Sequence, residues 1–347
     1  MSILHEVHHA ANNASSRAAP TAWQRELASA YRDVAALVRA LDLPAGLVAA
    51  ADPGESLFPL VVTRSFAARM RRGDAADPLL RQVLPLAMES HETDGYVTDP
   101  VGDLAAEQSP GLLHKYAGRV LVIAASACAI HCRYCFRRHF PYDAAPRGSD
   151  ALRAACAYVR ADPSVREVIL SGGDPLLQSD GALTRWSEAL AAIPHMRRLR
   201  VHTRLPIVLP SRVDAGLIEW LDRTRELSLA PWIVVHANHP AEVVGDCADA
   251  LTRLVDSGVP VLNQAVLLRG VNDDAAVLAE LSERLIDLRV QPYYLHQLDP
   301  VAGAAHFHVS EERGRAIVAD LRARLPGYAV PRYVREDAGA AHKTEIA

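Results

Sequence analysis

From Arg119 onward the chain alternates short β-rich runs with longer helical ones, and that rhythm constrains its fold more than any single residue does. The β-rich runs fall at residues 120–125, 167–170, 199–202, 232–235, 259–265 and 291–295. Apolar spacing between them predicts helices over 149–160, 183–193, 214–223, 241–257 and 275–288. Strand–helix repeats of this length build parallel βα units, with the crossover helices covering the sheet. Six units are too few to close the usual eight-stranded barrel. The fold class read from the pattern is therefore α/β, an open, partial (β/α)6 barrel.

The flanks read differently. Thr21-Ala-Trp-Gln24 forms a capping box that opens a helix with Trp23, Leu27, Tyr31, Val34 and Val38 on one face. Residues 1–20 read as a loose polar arm, and residues 41–115 as short helical pieces broken by Pro and Gly, without alternating strands. After the last unit come a helix near 310–325, a strand over 328–334 and a short tail holding Lys343 that closes the site. Three segments result: an N-terminal helical extension (1–115), a barrel core (116–310) and a C-terminal segment (311–347).

Reactive groups in parallel βα barrels gather where the strands end, and the chemically capable residues here follow that rule. Cys128-Ala-Ile-His-Cys132-Arg-Tyr-Cys135 comes after the first predicted strand and Ser171-Gly-Gly-Asp174 after the second. Arg204 follows the third, His236-Ala-Asn238-His239 the fourth; Asn263-Gln264 lies in the fifth, and Asp299 comes soon after the sixth. Three thiolates this close can hold three irons of a [4Fe–4S] cluster and leave the fourth open to a reactant. Zinc is the rival occupant, with His131, His139 or His114 as a fourth ligand, but structural zinc sites usually present two paired knuckles, and only one is here. Gly172 and Gly173 would let backbone approach a ligand closely. Beside an open iron they form a candidate seat for the amino group of S-adenosylmethionine. Lys343 reads by itself as an ordinary tail lysine, Asp299 and Glu336 as ordinary acids, and His236, His239 and Arg204 equally as packed or surface groups.

Composition narrows the class of partner. The formal net charge is −4 with no basic run, which argues against nucleic acid and for a small substrate. The longest apolar stretch falls short of the roughly 20 residues a membrane helix requires. The start of the chain carries no basic and apolar leader pattern. A cytoplasmic protein is expected. Five cysteines, three of them clustered, argue for metal or cluster ligation over a disulfide framework.

The triplet extended through Cys135-Phe-Arg-Arg138-His-Phe-Pro141 resembles the radical S-adenosylmethionine enzymes of the lysine 2,3-aminomutase family. It is most similar to the short branch that makes β-lysine for modifying elongation factor P. The resemblance runs from about Val62 through Asp77-Pro-Leu-Leu-Arg-Gln-Val-Leu-Pro85, Pro110-Gly-Leu-Leu-His-Lys-Tyr116 and Ser171-Gly-Gly-Asp-Pro-Leu176. It continues through Leu262-Asn-Gln-Ala-Val-Leu-Leu268, Val271-Asn-Asp273 and Pro292-Tyr-Tyr-Leu-His296. It implies three cofactors: a [4Fe–4S] cluster, S-adenosylmethionine and pyridoxal 5′-phosphate. It also implies the conversion of (S)-α-lysine to (R)-β-lysine. In that reaction a 5′-deoxyadenosyl radical removes a hydrogen, and the amino group, held as an imine of pyridoxal phosphate, migrates from Cα to Cβ. An external reductant such as flavodoxin or ferredoxin is implied as well.

Residue by residue, the resemblance puts Cys128, Cys132 and Cys135 on the cluster and Lys343 on the pyridoxal phosphate lysine. Lys115, Arg119 and Arg204 fall on phosphate-holding positions, and Tyr116 lies against the cofactor ring. Lys115 stands where the longer relatives carry arginine, which keeps the charge and loses the bidentate fork. Arg137 falls on the residue that pairs with the substrate carboxylate. Asp299 and Glu336 fall on the acids that receive the substrate ε-ammonium, and this favours lysine, since stranding a buried charge costs ~3–5 kcal/mol. Ser171, Gly172, Gly173, Asp174, His236 and Gln264 fall on the adenosylmethionine side. The family's glycine-rich run before the cofactor lysine is here Asp337-Ala-Gly-Ala-Ala-His342. The chain also lacks the longer relatives' cysteine-bearing C-terminal extension, so no structural zinc is expected. Two alternatives stay open: a 2,3-aminomutase for another amino acid, and a non-catalytic iron–sulfur or zinc-binding module.

Overall fold

A computed structural model describes residues 19–145 and 148–347; the polar arm expected over residues 1–20 lies almost wholly outside them. Among the described residues, ten strands form one sheet whose order in space is their order in sequence. A hairpin opens it, β1 (Glu107–Ser109) and β2 (Leu112–Tyr116), with β2 antiparallel to β3 (Arg119–Ala125). From β3 the pairing is parallel through β4 (Glu167–Gly172), β5 (Arg198–His202), β6 (Ala230–His236), β7 (Val261–Val266), β8 (Gln291–His296) and β9 (Arg332–Arg335). Finally β10 (Thr344–Glu345) turns back antiparallel on β9. Among the described residues β1 and β10 do not pair, so the sheet stays open as a partial barrel.

Among the described residues, five helices lie upstream of the barrel: α1 (Ala22–Ala28), α2 (Val34–Ala40), α3 (Gly46–Leu57), α4 (Arg64–Ala68) and α5 (Pro78–Arg81). The barrel helices are α6 (Gly148–Ala161), α7 (Asp180–Ala191), the short α8 (Leu205–Val208), α9 (Ala215–Glu226), α10 (Asp246–Asp256), α11 (Ala275–Asp287) and α12 (Glu311–Arg324). Side-chain caps fix where several of them start. Ser179 accepts from Ala182 N, Asp214 from Leu217 N, Asp274 from Ala276 N and Ser310 from Arg313 N. Each cap ends a strand-to-helix loop, so the loops that could hold a ligand have fixed lengths.

Alternation within the strands divides apolar from polar surface. On β5, buried Leu199 and Val201 alternate with partly exposed Arg198, Arg200 and His202. One apolar core runs from Trp23, Leu37 and Phe66 of the N-terminal helices through the strands and helices of the barrel to Tyr333 of β9. No helix among the described residues is long and apolar enough to cross a membrane.

The structure corrects three expectations. The N-terminal region carries the β1–β2 hairpin, and the boundary expected at 115/116 falls inside β2. Leu112-Leu-His-Lys-Tyr116 shows no clean alternation because its first two residues are both buried. The single helix expected from Thr21 to Val38 is two, α1 and α2. The break lies at Tyr31, whose backbone pairs with Val62 in both directions (2.7 and 3.0 Å), after which Asp33 caps α2 by accepting from Ala36 N at 2.6 Å. The strand expected over 328–334 is shorter and shifted: Gly327–Ala329 is a 3-10 turn, and β9 ends at Arg335, beside Glu336.

Candidate active site

The cysteine loop leaves β3 and is pinned to the N-terminal segment. His131 N donates to Val61 O (3.0 Å), Arg133 N to Gln82 O (2.9 Å), and Cys135 N to Cys132 O (3.0 Å). Below the loop Glu89 accepts from two guanidinium groups, Arg133 Nε at 2.8 Å and Arg138 Nη2 at 2.7 Å. All three side chains are at most 1% exposed. Burial, then Cys135, Asp174 and Cys132, push the Cys128 thiol well above its usual range, against Arg204. Burial and Cys132 push Cys135 up to about 11.

Thiols packed this closely in desolvated surroundings, with Cys132 raising both Cys128 and Cys135, fit a positively charged metal centre, which would hold them as thiolates. Among the described residues no three such side chains converge on a point, but each thiolate of a [4Fe–4S] cluster binds a different iron. The histidines considered as a fourth ligand have other partners. His131 bonds Pro59 O at 2.7 Å and stacks on Phe58, His139 bonds Ala302 O at 3.1 Å, and His114 bonds the Tyr158 hydroxyl at 2.8 Å.

Arg204 does not join Lys115 and Arg119 as the sequence reading expected. Its Nη1 lies 2.7 Å from the Cys132 sulfur, and its Nη2 donates to Gln82 Oε1 (2.7 Å) and Glu242 Oε2 (3.0 Å). The reason lies one turn earlier in the fold. Asp174 fixes the β5–α8 loop by accepting from Thr203 Oγ1 and Arg204 N, both at 2.7 Å, and from Leu205 N at 3.1 Å. That aims the Arg204 side chain at the thiols. The same four-sided engagement, completed by Leu176 N at 3.1 Å, leaves the Asp174 carboxylate no free side for a ligand. The glycines before it also serve packing. Gly172 sits at φ +106°, and a Cβ there would lie 2.5 Å from Ala125 O.

Across the barrel mouth lies a second constellation. The β9–β10 register pairs Thr344 with Arg335 and thereby sets Lys343 beside Glu336. Gly339, at φ +78°, supplies the left-handed turn between them. One Glu336 oxygen accepts from Lys343 Nζ, the other from Lys115 Nζ at 2.9 Å. Lys115 also pairs with Asp103 (2.6 Å), whose other oxygen meets Arg137 Nε at 2.7 Å, and Arg137 Nη1 reaches Ser171 Oγ at 3.3 Å. Burial alone would raise the Glu336 carboxyl, but Lys343 and Lys115 hold it down to about 2. Asp299 is pushed the opposite way, up to about 7, by burial and by Glu336, with Lys343 opposing. Tyr116 lies under the Arg119 guanidinium, 4.7 Å from the ring centroid, and burial and then Glu336 push its hydroxyl well above the usual range. Burial and then Lys343 push His296 down to about 3; burial, then Arg200 and Lys343, hold His202 well below its usual range.

Of the sequence-derived residues the structure thus gathers the three cysteines with Arg204 on one side. On the other it gathers Lys343, Glu336, Asp299, Lys115, Tyr116, Arg119 and Arg137, with Ser171 between the two groups. His236 stacks on Tyr134 and shares a 3.0 Å hydrogen bond with its hydroxyl; its sheet partner Gln264 is half-buried on β7. Sequence reasoning missed Asp103, Gln82 and Glu242. Each is a buried polar residue whose role only its folded partners reveal; Gln82 lies in the 77–85 stretch of the resemblance, but nothing local marks its side chain.

Residues 122–281 match the model of the Radical SAM superfamily. A protein of Escherichia coli (strain K12) named L-lysine 2,3-aminomutase is 44% identical over 325 residues, 93% of this chain and 94% of its own. One of the same name from Haemophilus influenzae is 41% identical over 322 residues, 93% and 94% of the two chains. A solved radical SAM methyltransferase from Sphaerobacter thermophilus is 22% identical, with a TM-score of 0.46 over 64% of this chain and 68% of that one. With a three-thiol loop after its first parallel strand and such identity across nearly its whole length, this chain belongs to the lysine 2,3-aminomutase family of radical SAM proteins.

Proposed function

We propose that the chain is an L-lysine 2,3-aminomutase, converting (S)-α-lysine to (R)-β-lysine with a [4Fe–4S] cluster, S-adenosylmethionine and pyridoxal 5′-phosphate. When bound, the cluster and S-adenosylmethionine supply a hydrogen-abstracting radical, and pyridoxal phosphate supplies the carbonyl carbon that carries the migrating amino group. Cys128, Cys132 and Cys135 are the cluster ligands. Lys343 is the attachment point of pyridoxal phosphate, with Lys115 and Arg119 balancing its phosphate and Tyr116 flanking its ring. Arg137 takes the substrate carboxylate. Ser171, the Gly172–Gly173 backbone, His236 and Gln264 line the adenosyl side, and Asp174 keeps that wall in place from behind.

The observation that carries the choice of lysine is the acid pair at the barrel mouth. Glu336 already binds an ammonium, that of Lys343, with Asp299 close enough for the two acids to sense each other. The ε-ammonium of a substrate would take the place on Glu336 that the Lys343 ammonium holds here, next to Asp299. A substrate with an acidic end would meet like charge there. The electron comes from an external reductant of the flavodoxin or ferredoxin type, and the product serves elongation factor P modification in the cytoplasm.

The test is anaerobic reconstitution followed by reduction and incubation with labelled lysine, with β-lysine as the expected product. Asp299→Asn should lower kcat/KM for lysine by about a hundredfold or more, the loss expected when a buried ammonium loses its partner. Full lysine activity in that variant would rule out lysine as the substrate that Asp299 selects.

A further inference from the structure

Arg204 is 92% buried by side-chain area and spends its guanidinium on three partners of different kinds. Glu242 and Gln82, both buried, hold Nη2 from behind, so the planar group has little freedom to swing. Nη1 points at the Cys132 sulfur. The Nε–H is buried with no partner at all. An unmet donor costs about 1–3 kcal/mol, and here it lies beside thiols expected to carry a cluster rich in sulfur acceptors. Cys132 is the middle ligand of the triplet and the thiol of the three that has a guanidinium hydrogen bond.

We infer that Arg204 is a positioning residue for the cluster: it donates a hydrogen bond to the Cys132 ligand sulfur and sets the cluster's reduction potential, held in that pose by Gln82 and Glu242. The inference rests on the cluster assignment made above and adds to it. A donor on a ligand sulfur, and a positive charge beside it, stabilise the reduced and more negative cluster, so both raise the potential. Glu242 sits behind Arg204, away from Cys132 as the guanidinium lies between them, and so fixes the donor while its own charge is neutralised locally. The electron that cleaves S-adenosylmethionine would then be accepted from a milder donor than an unassisted cluster would need.

Two measurements on the full-length, reconstituted protein test this. In protein labelled with 15N-arginine, pulsed EPR of the reduced cluster should show a coupled arginine nitrogen. Arg204→Lys keeps the charge and loses the fork, and its cluster should be harder to reduce. The ratio of reduced to oxidised cluster at a fixed potential should fall about tenfold, roughly 59 mV for a one-electron couple. Arg204→Met, which loses charge as well, should fall further. Absence of a coupled arginine nitrogen in the wild-type protein overturns the inference. So does an Arg204→Lys protein with full iron content and the wild-type potential. If that variant takes up no cluster, the nitrogen coupling in the wild type decides. Neither measurement uses lysine or reads product, so a negative result leaves the aminomutase reading standing; wild-type protein that takes up no cluster would remove both.

Discussion

Asp299 and Glu336 show how one neighbourhood drives two carboxylates apart. Glu336 has two ammonium partners and ionises early; Asp299 has burial and Glu336 itself against it and stays protonated to about pH 7. A carboxyl whose folded pKa is raised stabilises the fold fully below its unfolded value of 3.8 and loses that contribution as the pH rises through about 7. Glu336 has the opposite sign and loses its contribution below its unfolded value of 4.5, so it adds no slope between pH 5 and 7.5. In protein without pyridoxal phosphate, Asp299→Asn should therefore gain on the wild type as the pH rises, by on the order of 2 kcal/mol between pH 5 and 7.5 after discounting for partial exposure. Urea denaturation at the two pH values measures this, and a wild-type-to-variant difference independent of pH would contradict it. At this scale the sequence was legible where chemistry is local. Cysteine spacing announces itself within eight residues, whereas Lys343 alone reads as an ordinary tail lysine. Asp103 had no such signal, because its meaning comes from Lys115 and Arg137, which reach it only in the folded hairpin and loop. Arg204 was recognised as important and given the wrong neighbours, since the turn made by Asp174 decides where it points.

Among the elements, the cysteine loop depends on a piece of the chain that the sequence presented as peripheral. The 3-10 turn Ala87–Ser90 brings Glu89 under the loop, where it neutralises Arg133 and Arg138 together. Removing one partner of a buried ionic cluster strands the others, at a typical cost of ~3–5 kcal/mol. Glu89→Ala should destabilise the protein by about that much and lower the iron bound per chain after reconstitution, since the guanidinium anchors of the loop are set free. Wild-type stability together with wild-type iron content would refute the role given to Glu89. The parallel strands β3 to β8 were readable because their apolar runs are compact and segments of helical spacing separate them. The β1–β2 hairpin was not, because two consecutive buried leucines break the alternation that identifies a strand.

At the scale of the whole molecule, the N-terminal helices and the barrel share one core, so they should unfold together. Trp23 of α1 packs on Arg212, 5.1 Å from ring centroid to guanidinium, in the loop before α9. A variant retaining Trp23 alone among the tryptophans should lose its fluorescence signal at the urea concentration where far-ultraviolet circular dichroism changes. Two separated midpoints would mean that the extension is an independent unit. The barrel class was legible from the strand–helix rhythm; the shared core was not, because contacts between residues a hundred or more positions apart leave no periodic trace. The pairing of β9 with β8, and of β10 with β9, has a consequence in time as well as in space. A ribosome that has synthesised β8 has already made the three thiols and Arg204, but neither Glu336 nor Lys343. The growing chain therefore acquires the part that can handle electrons well before the part that can hold a substrate, and the last strands to be synthesised turn the one into the other.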